Sequence, residues 1–143
     1  MKALRHTGVV VTNLEMALGF YRDLLGLKVV KMMNESGDFI DKITGLTAVN
    51  VTTVKMSAED GNLIELLYFH SHSSISKNRP LNQIGASHLA FSVESVEHEY
   101  RKLSNHGVKF CSFPQVSPDG YAKVAFCQDP DGTFIELVEV LKK

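Results

Sequence analysis

Asp60-Gly61-Asn62-Leu63-Ile64-Glu65-Leu66 and Asp131-Gly132-Thr133-Phe134-Ile135-Glu136-Leu137 are nearly the same phrase written twice in one chain. Each is a turn signal followed by an alternating strand, which predicts a hairpin at both places. Upstream of the first copy, His6-Thr7-Gly8-Val9-Val10-Val11 reads as a strand. Asn13 follows as a helix cap, and Leu14, Ala17, Leu18, Tyr21, Leu24 and Leu25 fall at helical spacing. Gly26 supplies a stop, and Leu27-Lys28-Val29-Val30 is a second strand. The other half repeats the order: His88-Leu89-Ala90-Phe91-Ser92-Val93, a cap at Ser95, a helix face at Val96, Tyr100 and Leu103, a stop at Gly107, and a strand at Val108-Lys109-Phe110.

A duplicated module explains this order. His88 stands 82 residues after His6, but Glu136 stands only 71 after Glu65. About ten extra residues therefore sit in the first module, between its second and third strands. They include Phe39, Ile40, Ile43 and Leu46, an amphipathic turn or short helix. The expected architecture is α+β, with β-α-β-β-β modules in tandem over residues 1–70 and 85–143, joined by a polar linker at 71–84.

Composition narrows the function. The chain has 143 residues, 44% hydrophobic and 22% charged, with a net charge of −1. That balance gives no field for a phosphate backbone, and the one basic cluster, Lys77 to Arg79, is short. No nucleic-acid partner is expected. No stretch reads as a signal peptide or a membrane span, so a cytoplasmic protein without membrane contact is expected. Cys111 and Cys127 lie in apolar runs and read as buried free thiols.

Four side chains do not suit their surroundings. Glu65 lies between Ile64 and Leu66, and Glu136 between Ile135 and Leu137, on strands whose two faces both look apolar. A shielded carboxylate without a partner costs several kcal/mol. No basic residue recurs at an equivalent place in both modules. What recurs is a histidine at the start of the first strand: His6 shares its face with Gly8 and Val10, and His88 with Ala90 and Ser92, mostly small neighbours that leave room. Two imidazoles and two carboxylates around a divalent cation make a neutral set, which removes the burial problem. A lone strand histidine is usually structural, but the repetition makes that reading hard to keep. His70, His72, His98 and His106 fall in loops or on a polar helix face and read as solvated.

These motifs resemble the vicinal oxygen chelate superfamily over essentially the whole chain. They are His6 with the helix ending Phe20-Tyr21-Arg22-Asp23-Leu24-Leu25-Gly26-Leu27, the Asp60 to Leu66 phrase, His88, and Asp129-Pro130-Asp131-Gly132-Thr133-Phe134-Ile135-Glu136-Leu137. The resemblance implies paired modules forming a cupped half-barrel of mixed sheet around the metal, and a homodimer that covers open sheet edges. Members include glyoxalase I, methylmalonyl-CoA epimerase, extradiol ring-cleaving dioxygenases, fosfomycin-resistance transferases and metal-free bleomycin binders.

A four-residue set of His6, Glu65, His88 and Glu136 on a six-coordinate ion leaves two neighbouring positions for vicinal substrate oxygens. The expected metals are nickel, cobalt, manganese or zinc. The chemistry is that of a lyase or isomerase working through an enediolate or enolate on a small α-hydroxy carbonyl compound. Glu136 is the first choice for proton transfer and Glu65 the second.

The ligand pattern resembles bacterial glyoxalase I, hence lactoylglutathione lyase. The epimerase usually has glutamine where Glu65 stands, and the dioxygenases need only one carboxylate. A non-catalytic small-molecule binding or resistance protein is the remaining alternative. Val10 and Phe69 depart from the arginine and asparagine that glyoxalase I places there for glutathione, and the apolar insertion at Phe39, Ile40, Ile43 and Leu46 is either a wall for an apolar substrate portion or plain packing.

Overall fold

A computed structural model describes residues 1–74, 79–85 and 88–141. Its contacts divide the chain into two compact units, with the boundary between residues 76 and 77. Residues 75–78 of the expected linker, with Lys77 of the basic cluster, lie outside the described residues.

In the first unit, β1 (Thr7–Val10) leads into α1 (Leu14–Leu18) and a π-helical stretch (Gly19–Leu24), followed by β2 (Lys28–Ser36), α2 (Asp38–Thr44), β3 (Asn50–Ser57) and β4 (Leu63–Phe69). In the second come β5 (His88–Ser92), α3 (Val96–Asn105), β6 (Gln115–Val116), β7 (Ala122–Gln128) and β8 (Phe134–Val140). Each unit holds one open four-stranded mixed sheet, ordered β1-β4-β3-β2 and β5-β8-β7-β6. The first strand pairs parallel with the last, and the other pairs are antiparallel. The α+β class and the β-α-β-β-β order are as expected.

α1 and α3 start as their caps dictate. The Asn13 side chain accepts the Met16 N–H at 2.9 Å, and Ser95 Oγ accepts the His98 N–H at 3.2 Å. The predicted single helix over Leu14–Leu25 instead widens halfway: the Leu25 N–H reaches back to the Phe20 carbonyl, and the Leu27 N–H to that of Tyr21. Gly26 (φ 79°) and Gly107 (φ 81°) then turn the chain out in the left-handed conformation.

One face of each sheet is the core. Val9, Val54, Met56, Ile64 and Leu66 are buried in the first unit along with Ala17, Phe20 and Tyr21. Their counterparts in the second are Ala125, Cys127, Ile135 and Leu137 with Val96 and Leu103 of α3.

Two expectations need correction. Val108–Phe110 is not a strand: only Phe110 forms a bridge, to Cys127. Pro114 offers no N–H to the ladder, and pairing resumes for just Gln115 and Val116. Cys111 lies beyond that bridge and is exposed, whereas Cys127 is buried, and burial pushes its thiol up to about 12.

The extra residues of the first unit form α2 in the connection between β2 and β3, where the second unit has only the turn at 117–121. The Asp41 carboxylate accepts the Ala48 and Val49 N–H groups, both at 2.8 Å, and ties α2 to the start of β3. Ile40 packs with Val49 and Val51 against Leu67 and Phe69. Leu67 and Phe69 alternate with Glu65, so α2 covers part of the sheet face that carries Glu65. Ile40 is packing, while Phe39 and Ile43 remain 70% and 62% exposed beside that face.

Candidate metal centre

The two halves of the predicted set are built alike. β1 and β4 pair so that Gly8 opposes Glu65, and His6, two residues earlier, shares that face. His6 Nε2 stands 3.8 Å from Glu65 Oε1. In the second unit Ala90 opposes Glu136, and His88 lies two residues before Ala90. His88 Nε2 is 3.1 Å from Glu136 Oε2. The glutamates are 12% and 21% exposed, so both are largely shielded. Small residues at Gly8 and Ala90 keep the row beside each pair clear; a Cβ on Gly8 would press on Leu67 Cδ1 at 3.1 Å.

The structure therefore brings His6 to Glu65 and His88 to Glu136. Among the described residues, no group of three or more His, Cys, Asp and Glu side chains lies close enough together to hold a metal ion. Each unit holds one nitrogen–oxygen pair.

Two observations test whether these pairs suit a divalent ion. Donors each about 2.1 Å from a common ion stand about 3.0 Å apart at right angles and about 3.4 Å apart at the tetrahedral angle. The His88–Glu136 pair has that spacing already, and the His6–Glu65 pair needs only a small closing movement. In addition, His6 Nδ1 is buried with no hydrogen-bond partner among the described residues. With Nε2 on an ion, the ring proton stays on Nδ1, and this buried donor then needs an acceptor. In donor type and spacing, each His–Glu pair by itself suits two places on such an ion.

The hairpins hold the glutamates in place. Asp60 Oδ1 accepts the Asn62 N–H at 2.9 Å, and Asp129 Oδ1 accepts those of Asp131 and Thr133 at 2.9 and 2.8 Å. The Asn62 backbone N–H, then its side chain, hold the Asp60 carboxyl below its usual value.

What lies across the strand from each glutamate differs. Lys55 opposes Glu65, with Nζ 3.3 Å from Oε2. Phe126 opposes Glu136, and its ring meets His88 edge to face at 5.3 Å between centroids. Lys55 was missed because the sequence argument asked for a base in both modules. The signal was present: Lys55 and Glu65 are equidistant from Asp60, so a tight hairpin must set them opposite each other. The other histidines are exposed, with local partners for three. His70 Nε2 lies 2.7 Å from Thr52 Oγ1, His72 Nδ1 lies 2.8 Å from Ser71 Oγ, and His106 Nδ1 lies 2.8 Å from the Lys102 carbonyl.

Residues 3–137 match the model of the Glyoxalase/Bleomycin resistance protein/Dioxygenase superfamily, and the chain belongs to it. A probable lactoylglutathione lyase of Synechocystis is 29% identical over 141 residues, covering 98% of this chain and 97% of that protein. The lactoylglutathione lyase of Schizosaccharomyces pombe is 31% identical over 147 residues; the match takes in 94% of this chain but only 46% of the yeast protein. A crystal structure of a glyoxalase family protein from Bacillus cereus superposes with a TM-score of 0.89 at 25% identity, covering 99% of this chain and 96% of that one. No described helix is long and apolar enough to cross a membrane.

Proposed function

We propose that the protein is a divalent-metal-dependent lyase or isomerase of the glyoxalase type, acting on a small α-hydroxy carbonyl compound. The observation that carries this reading is the recurrence, in the same register of both sheets, of one His–Glu pair facing a cleared row. Two of the relatives bear the name lactoylglutathione lyase, which supports the same chemistry. His6, Glu65, His88 and Glu136 would hold the ion, whether one chain or two chains of a homodimer complete the set. A bound nickel, cobalt, manganese or zinc ion would draw electrons from two vicinal substrate oxygens and so acidify the adjacent C–H.

Glu136 is assigned the proton transfer. Glu65 has one oxygen engaged by Lys55, whereas the residue across from Glu136 is an apolar ring. Phe69 packs in the Ile40 cluster and Val10 is half exposed, so neither offers the polar anchor that glyoxalase I uses for glutathione. The substrate is accordingly expected to carry some handle other than glutathione.

Metal analysis of the purified, nickel-loaded protein tests the reading. About one ion per chain is expected, with His6→Ala and His88→Ala each losing at least about a hundredfold in affinity, more than supporting residues usually cost. Full occupancy in both variants would remove the site assignment. Sedimentation of the same preparation is expected to show a dimer, and monomer alone at micromolar concentration would contradict the homodimer.

A further inference from the structure

The strand pairing lays a line of charge across the first sheet. Lys31 of β2 stands directly opposite Lys55 of β3, and Lys55 directly opposite Glu65 of β4. Directly opposed residues share a face, so all three lie on the face that also carries His6. Like charges set directly opposite one another are unfavourable. Lys55 relieves this by reaching Glu65, but Lys31 is exposed and has no ion-pair partner among the described residues. The other carboxylate on this face, Glu35, already accepts a hydrogen bond from Thr53 Oγ1 at 3.3 Å. The corresponding line in the second sheet, Glu136 and Phe126, contains no cation.

An ion between His6 Nε2 and Glu65 Oε1 would take up carboxylate charge that Lys55 meets at Oε2, and so leave the ammonium less fully neutralised. Lys55 is then a partly exposed cation beside a second lysine, on a flexible four-carbon stem, and Glu35, one oxygen of which Thr53 holds, is the remaining carboxylate of β2–β4 on that face. We propose that Lys55, backed by Lys31, binds an anionic group of the substrate, a carboxylate or a phosphate, next to the vicinal oxygens. The substrate is thus an anionic α-hydroxy carbonyl compound, and Lys55 sets that specificity. This rests on the metal reading above.

Calorimetry on the full-length protein tests it. Nickel is first titrated into the metal-free wild type, K55M and K55R. Three probes that share the vicinal oxygens are then titrated into the nickel forms: dihydroxyacetone phosphate, hydroxypyruvate and neutral dihydroxyacetone. K55M is expected to bind nickel about two- to fivefold more tightly, since a competing cation worth no more than an exposed ion pair has gone.

In the wild type, at least one anionic probe should bind roughly tenfold or more tightly than dihydroxyacetone, the usual worth of a hydrogen bond to a charged group. That preference should vanish in K55M, persist largely in K55R, and weaken in K31M. Which anionic probe keeps the preference tells phosphate from carboxylate. A wild type that binds nickel but shows no anionic preference, or a K55M variant that retains it, overturns the proposal and leaves the metal site standing. A wild type that binds no nickel overturns both.

Discussion

The two modules differ least around their His–Glu pairs and most one strand away. In each, the glutamate opposes a residue small enough to leave room, and the histidine sits two places before that residue. Across the hairpin the agreement ends, with Lys55 against Glu65 and Phe126 against Glu136. One half-site is salted and the other lined by an aromatic ring. A duplicated fold can keep its donors in register and still divide the labour, because a cross-strand neighbour changes the environment of a carboxylate without moving its backbone. On the proposed function, the first module would hold charge and the second would leave a carboxylate free to act.

Three measurements would break or sharpen this contrast. The largest effect is expected for Glu136→Gln, which preserves shape but removes the proton acceptor. Turnover should fall by roughly two to four orders of magnitude. Glu65→Gln should weaken nickel binding more than it slows the metal-saturated enzyme, and equal turnover losses in the two variants would erase the division of labour.

Next come the paired core leucines. Leu66 and Leu137 each follow the glutamate of their module's His–Glu pair and are 0% and 2% exposed. Replacing either by alanine should cost about 2–5 kcal/mol in urea unfolding. A loss well under 1 kcal/mol in one alone would show that its module packs by different rules.

The smallest effect concerns the caps. Asn13→Ala and Ser95→Ala should each cost about 1 kcal/mol, read as a lowered unfolding midpoint. A neutral result at Asn13 would mean that the widened turn after α1 holds that helix without its cap.

Much of this was legible in the sequence for a physical reason. Turn chemistry and alternation are local, so the Asp60 and Asp131 hairpins, the caps at Asn13 and Ser95, and the stops at Gly26 and Gly107 could be read residue by residue. The His–Glu pairs were legible because burial of a charge leaves few solutions. What escaped depended on non-local pairing. Val108–Phe110 has strand composition, but its ladder is cut short at Pro114, and Cys111 is exposed in consequence. The break in helical pitch over Gly19–Leu24 leaves no mark in an apolar pattern that suits either helix. Lys55 escaped because it has no counterpart in the second module, where Phe126 stands across from the glutamate.

The placement of α2 also bears on how such a protein changes over generations. It enters at the end of the β2–β3 hairpin, between Ser36 and Asn50, which still face each other across the ladder. A whole helix has been accommodated there with Lys55 and Glu65 still face to face. By contrast, one residue gained between Lys55 and Glu65 would shift the register and turn one of them to the opposite side of the sheet. Lineages built on this module are therefore free to lengthen at one end of the sheet and bound to a fixed count at the other. New substrate preferences should be written in the loops remote from Asp60 and Asp131, while the span between each glutamate and its cross-strand neighbour stays the same length.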